Sequence, residues 1–169
     1  MTTDSVTLTI NRMLDAPRER VWDAFTHPSL FSQWWGPEGT TNVDVGIDAN
    51  VGGRFAYRMR LPPNEARGGV DVGVNGEFTD VEPHRMLGYT YQWEGQALIT
   101  QVMVELEDRP EGGTEITVRH EGLPSTEFAD YEAGWTASLD RLERVVDMSS
   151  PPASPTPDES GGSDSTASY

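Results

Sequence analysis

Cysteine is absent from the 169 residues, and so is lysine. Without cysteine there are no disulfides, no thiol nucleophile and no thiolate metal site, and the redox compartment stays open. Without lysine, all 12 cations are arginine; against 28 acids they leave a formal charge of −16. An arginine-only acidic chain fits either a salt-adapted proteome or a high-GC coding bias. A surface so acidic repels phosphate, which excludes a nucleic-acid partner held by a basic patch and disfavours an anionic membrane as partner. No apolar run approaches the ~18–20 residues that cross a bilayer. The opening Met1-Thr2-Thr3-Asp4-Ser5 has neither the basic nor the apolar region of a signal peptide. The expectation is a soluble, cytoplasmic protein.

Other absences narrow the chemistry. The three histidines, His27, His84 and His120, lack metal-ligand spacing. Gly52-Gly53 and Gly112-Gly113 read as turns rather than phosphate loops, and no serine sits in a nucleophile elbow. No metal or cofactor is therefore expected.

Composition divides the chain after Met148. Residues 149–169 are rich in Ser and Pro and hold no large apolar residue except Tyr169. Such a segment cannot bury enough surface to offset the entropy of ordering it. The expectation is one domain over 1–148, carrying a charge of −13, followed by a disordered acidic tail. Removing residues 149–169 should leave the thermal midpoint within about 1 °C of the full chain. A drop of several degrees would show that the tail docks on the domain.

Within 1–148 the hydrophobic period switches. Val6, Leu8 and Ile10 alternate as a strand. Asp15-Ala16-Pro17 predicts a cap and first-turn proline for a helix bearing Val21, Trp22 and Phe25. His27-Pro28 predicts a second short helix with Leu30, Phe31, Trp34 and Trp35, stopped at Gly36-Pro37. From about Thr41 to His120 the pattern is strand and turn, with about six strands in an antiparallel meander. Residues 61–69 form a Pro/Gly loop, Val70 opens the next strand, and Val81 falls out of phase as at a bulge. A final helix runs from about Ser125 to Asp147, with Phe128, Tyr131, Trp135, Leu139, Leu142 and Val146 on one stripe. Gly134 beside Trp135 predicts close approach of that helix to the strands. The class is α+β, a curved antiparallel sheet of about six or seven strands around a long C-terminal helix, with two short helices after the first strand.

Ala16-Pro17-x-Glu19-x-Val21-Trp22, Trp34-Trp35-Gly36-Pro37, Gly52-Gly53-Arg54-Phe55 and Gly134-Trp135 through Leu139-Asp140-Arg141-Leu142 occur in this order. Over roughly residues 6–147 this ordered set resembles the START-like, helix-grip (SRPBCC) superfamily. Within it, the set is similar to the branch named for the activator of heat-shock protein 90 ATPase. The resemblance implies a cavity between sheet and C-terminal helix that holds an apolar or amphipathic small molecule. Its members include lipid carriers, polyketide cyclases, hormone receptors and chaperone cofactors, so fold alone does not decide function.

The candidate ligand-binding residues are aromatic and apolar. Phe55, Tyr57, Met59, Phe78, Tyr91, Trp93 and Trp135 fall on the apolar parity of their elements, with Trp34 and Trp35 at the expected mouth. Each is individually an ordinary core residue; together they suit a pocket, because one sheet and one helix fill a concave face poorly. His120 shares parity with Ile116 and Val118. It is the weak catalytic candidate, against a bland reading in which a backbone carbonyl or Glu121 satisfies it. The leading expectation is binding of an apolar or aromatic small molecule without catalytic apparatus. A cyclase- or hydrolase-like enzyme using the same pocket ranks second. A chaperone cofactor ranks third, because the namesake activators resemble this chain only in their C-terminal part and carry a further N-terminal domain.

Overall fold

Alternating side chains build the sheet. The computed structural model describes residues 5–36, 39–63 and 71–147. The expectations for Pro37, Val70, most of the 61–69 loop and the 149–169 tail lie outside the described residues. Seven strands pair antiparallel in the order β1-β7-β6-β5-β4-β3-β2. They are β1 (Ser5–Leu14), β2 (Thr41–Ile47), β3 (Arg54–Arg60), β4 (Asp71–Glu82), β5 (Met86–Trp93), β6 (Thr100–Asp108) and β7 (Thr114–Pro124). Two short helices, α1 (Arg18–Thr26) and α2 (Pro28–Phe31), follow β1. The long α3 (Phe128–Val146) follows β7 through a single 3₁₀ turn, Ser125–Glu127. This is the helix-grip architecture.

Parity decides what each strand buries. Phe55, Tyr57 and Met59 face inward on β3 while Arg54 and Arg60 stay exposed; Leu87, Tyr89 and Tyr91 do the same on β5. Between Phe78 and Asp80 the β4–β5 register slips by one residue, the bulge that puts Val81 out of phase. Trp135, Leu139, Leu142 and Val146 of α3 close the core over the sheet. On the opposite helix edge, Arg12 of β1 reaches Asp140 and Glu143, each at 2.8 Å. At Gly53 a side chain would stand 2.1 Å from the Asp48 carbonyl, so only glycine fits that turn.

Three local expectations are corrected. Pro17, not Asp15, is the N-cap of α1, and no side chain caps it. The Pro17 carbonyl takes the Arg20 and Val21 amides at 3.1 and 3.2 Å, so Asp15 lies a residue too early to act. Helix α2 ends at Phe31, leaving Trp34 and Trp35 in the following turn. The carbonyls after it are claimed from outside: Asn42 Nδ2 donates to Ser32 and Trp35, and the Arg141 guanidinium to Gln33, Trp35 and Gly36. Gly134 does not bring α3 close to the strands, since a side chain there would meet nothing within 4 Å. It faces open space instead. No helix among the described residues is long and apolar enough to cross a membrane.

Candidate functional site

The turn after α2 is pinned to α3. Arg141 Nη1 donates to the Trp35 and Gly36 carbonyls at 3.1 Å, and the Gly36 amide donates to Ser138 Oγ at 2.9 Å. Gly36 has φ +95°, and a side chain there would press within 2.8 Å of Thr40. These bonds connect two stretches of the sequence motif, Trp34-Trp35-Gly36 and Leu139-Asp140-Arg141-Leu142. They also send the paired tryptophans in different directions. Trp34 is fully buried, donates from Nε1 to the Ala24 carbonyl at 2.9 Å, and packs edge-on against Phe25 at 4.8 Å. Trp35 turns toward α3 and meets Trp135 edge-on at 4.8 Å.

Between that turn, β5 and α3 lies a cavity of about 250 Å³. Of the nine candidate residues, Trp35, Met59, Tyr91, Trp93 and Trp135 line it. Trp34, Phe55, Tyr57 and Phe78 do not; each is at most 3% exposed and belongs to the core beneath. Phe55 and Tyr89 pack at 4.7 Å and Phe78 and Tyr89 at 5.7 Å, a continuous aromatic floor. The same parity serves both groups, because alternation specifies the face of a strand and not the depth along it.

From the helical side of the cavity, sequence reasoning took only Trp135. Glu127, Asp130, Tyr131, Gly134 and Ser138 also line it. With Trp135 they keep helical spacing, but only Tyr131 belongs to the apolar stripe; the other four are acidic or small and so carry no hydrophobic signal. Tyr131 Oη accepts a hydrogen bond from Trp93 Nε1 at 3.0 Å and so ties wall to helix.

Beneath the wall, His120 is fully buried and both ring nitrogens are engaged. The Trp135 indole can only donate, so its 3.0 Å bond makes Nδ1 an acceptor. Nε2 then carries the proton and donates to Thr100 Oγ1 at 2.7 Å, and the Thr100 hydroxyl donates in turn to the Tyr91 carbonyl at 3.2 Å. Burial lowers the His120 pKa to about 4, which keeps the imidazole neutral. The expected partners, a backbone carbonyl or Glu121, are replaced by Trp135 and Thr100. A ring with both nitrogens committed has no lone pair or proton left for a substrate, and His120 is not among the cavity-lining residues.

The tyrosines are neutral as well. Tyr57 Oη and Tyr91 Oη are 2.5 Å apart, and burial raises both pKa values well above the ordinary phenol range. The Trp35 N–H leans toward the Tyr57 hydroxyl, partly offsetting that burial, but falls short of hydrogen-bond geometry and has no partner among the described residues. Among the described residues no cluster of His, Asp and Glu could hold a metal ion.

Residues 15–147 match the family described as activator of Hsp90 ATPase homolog 1-like protein. A crystal structure of a Chromobacterium violaceum protein superposes with a TM-score of 0.75 at 26% identity, covering 83% of this chain and 97% of that one. The AHSA1 protein of Silicibacter pomeroyi superposes at 0.72 with 24% identity, over 82% and 96% of the two chains. A protein from the dynemicin biosynthetic locus superposes at 0.64 with 23% identity, over 86% of this chain and 48% of that one. No curated protein matches.

Proposed function

Because this chain belongs to the family of activator of Hsp90 ATPase homolog 1-like proteins, we propose that it binds an apolar or aromatic small molecule between sheet and C-terminal helix. The observation that carries this reading is the cavity of about 250 Å³ walled by Trp35, Met59, Tyr91, Trp93 and Trp135. Its size suits a ring with several further heavy atoms, since an apolar cavity of about 150 Å³ already holds benzene. Aromatic walls with a few placed polar groups are the usual make-up of a small-molecule site. The commitment of both His120 nitrogens favours binding over acid–base chemistry by that residue.

An environment-sensitive apolar dye should bind the full chain with one-to-one stoichiometry. Trp93→Ala, which removes a wall and the anchor of Tyr131, should weaken the dye at least about fivefold, equivalent to ~1 kcal/mol. Absence of dye binding by the wild-type chain, read by fluorescence and calorimetry together, would overturn the proposal and leave the aromatics as core alone.

A further inference from the structure

We infer that the ligand carries a positive charge: an ammonium or comparable cationic head on an apolar or aromatic body. This rests on the binding reading above and names the ligand class for the same cavity. Among the residues that line the cavity, the charged ones are Glu127 and Asp130, both acidic and both exposed. Neither has a salt-bridge partner among the described residues; the arginine bridges lie elsewhere. Just inside stand Trp93 and Tyr131, joined by their 3.0 Å hydrogen bond, with Trp35, Tyr91 and Trp135 deeper. Aromatic faces attract cations through their quadrupole, and the attraction grows as the site dries. The remaining polar groups of the lining, Gln96 and Ser138, are neutral.

The acids have a second reason to be there. They sit at the start of α3, where carboxylates offset the positive end of a helix. That end carries about half an elementary charge, so two carboxylates leave the mouth negative. The chain as a whole, at −16, adds to the same field. An anionic ligand would meet repulsion at every stage of entry. A cationic one would be drawn in, with its head held between the carboxylates and the aromatic rim.

Three probes with one body separate the possibilities: phenylpropylammonium, phenylpropanol and phenylpropionate, titrated into the full chain at low salt and near-neutral pH. The ammonium should bind at least tenfold tighter than the alcohol, and the carboxylate weaker than both. Combining Glu127→Gln with Asp130→Asn should bring the ammonium within about threefold of the alcohol. A role confined to the helix end would lower thermal stability in that variant without moving the ratio. Equal binding of all three probes by the wild-type chain would overturn the cationic assignment and leave the cavity reading standing. Binding of none, with the dye also silent, would end both.

Discussion

Lowering the pH from 6.5 to 4 should destabilise this domain by about 3 kcal/mol through His120 alone. The unfolded chain presents an imidazole with an ordinary pKa near 6.5, whereas burial holds the folded one at about 4. Between those values the unfolded state binds a proton that the folded state refuses. Folding is therefore penalised increasingly as pH falls, the contribution is complete above the unfolded pKa, and nothing further is lost below about 4. Protonation would also destroy the acceptor that Trp135 Nε1 needs at 3.0 Å. His120→Gln offers a carbonyl to Trp135 and an amide to Thr100 without a titratable ring, so its stability should fall less steeply over that window by the His120 share. His120→Leu should cost about 1–3 kcal/mol at neutral pH, because it leaves the indole N–H unpartnered in a dry interior. Urea midpoints at a series of pH values measure all three. A His120→Gln variant that kept the wild-type slope would assign the dependence to other groups.

That bond chain was only half legible in the sequence. Alternation with Ile116 and Val118 points His120 inward, and it is indeed fully buried. Its partners come from β6 and from the middle of α3, twenty and fifteen residues away in sequence. Nothing local in the pattern distinguishes Thr100 from any other strand-end threonine. What selects it is the register of β6 against β7, which sets Val102 opposite His120 and is a property of the whole sheet.

The same division runs through the cavity. The seven strands and the closing helix follow from period two and period 3.6, because burial of one face is all that either pattern encodes. Depth is a matter of curvature and of what the helix leaves uncovered. Hence Tyr57 and Tyr91, identical by parity and hydrogen-bonded at 2.5 Å, differ in that Tyr91 alone lines the cavity. Gly134 misled for a related reason. A glycine on a helix signals close approach only when it faces a neighbour, and this one lies on the stripe that faces the opening. The Trp34-Trp35 pair misled because the chain tightens after Ser32 to three-residue bonds, Gln33 to Leu30 and Trp34 to Phe31, and Arg141, more than a hundred residues later, takes the carbonyls left open beyond them.

Trp34 and Trp93 offer the sharpest test of that distinction between core and wall. Trp34→Ala should cost about 4–5 kcal/mol, the upper part of the range for a buried aromatic truncation. Trp34 is fully buried, bonded to the Ala24 carbonyl, and held edge-on by Phe25, Phe31 and Trp35 at 4.8, 5.2 and 5.4 Å. Its removal would empty the junction of α1 and α2 and leave a buried carbonyl unpartnered. A domain of this size is stable by roughly 5–15 kcal/mol, so the variant should remain folded only marginally. Trp34→Phe, which keeps a ring but not the hydrogen bond, provides a folded fallback at about 1–2 kcal/mol. Trp93→Ala should cost only about 1–2 kcal/mol, because part of its surface already faces the cavity and has few contacts to lose. Its bond to Tyr131 lies where water can replace it, since Tyr131 is itself partly exposed. Urea unfolding of both alanine variants without added ligand reads the contrast directly. Equal losses at the two positions would mean that Trp93 is packed as tightly as Trp34, and that the cavity does not persist in solution.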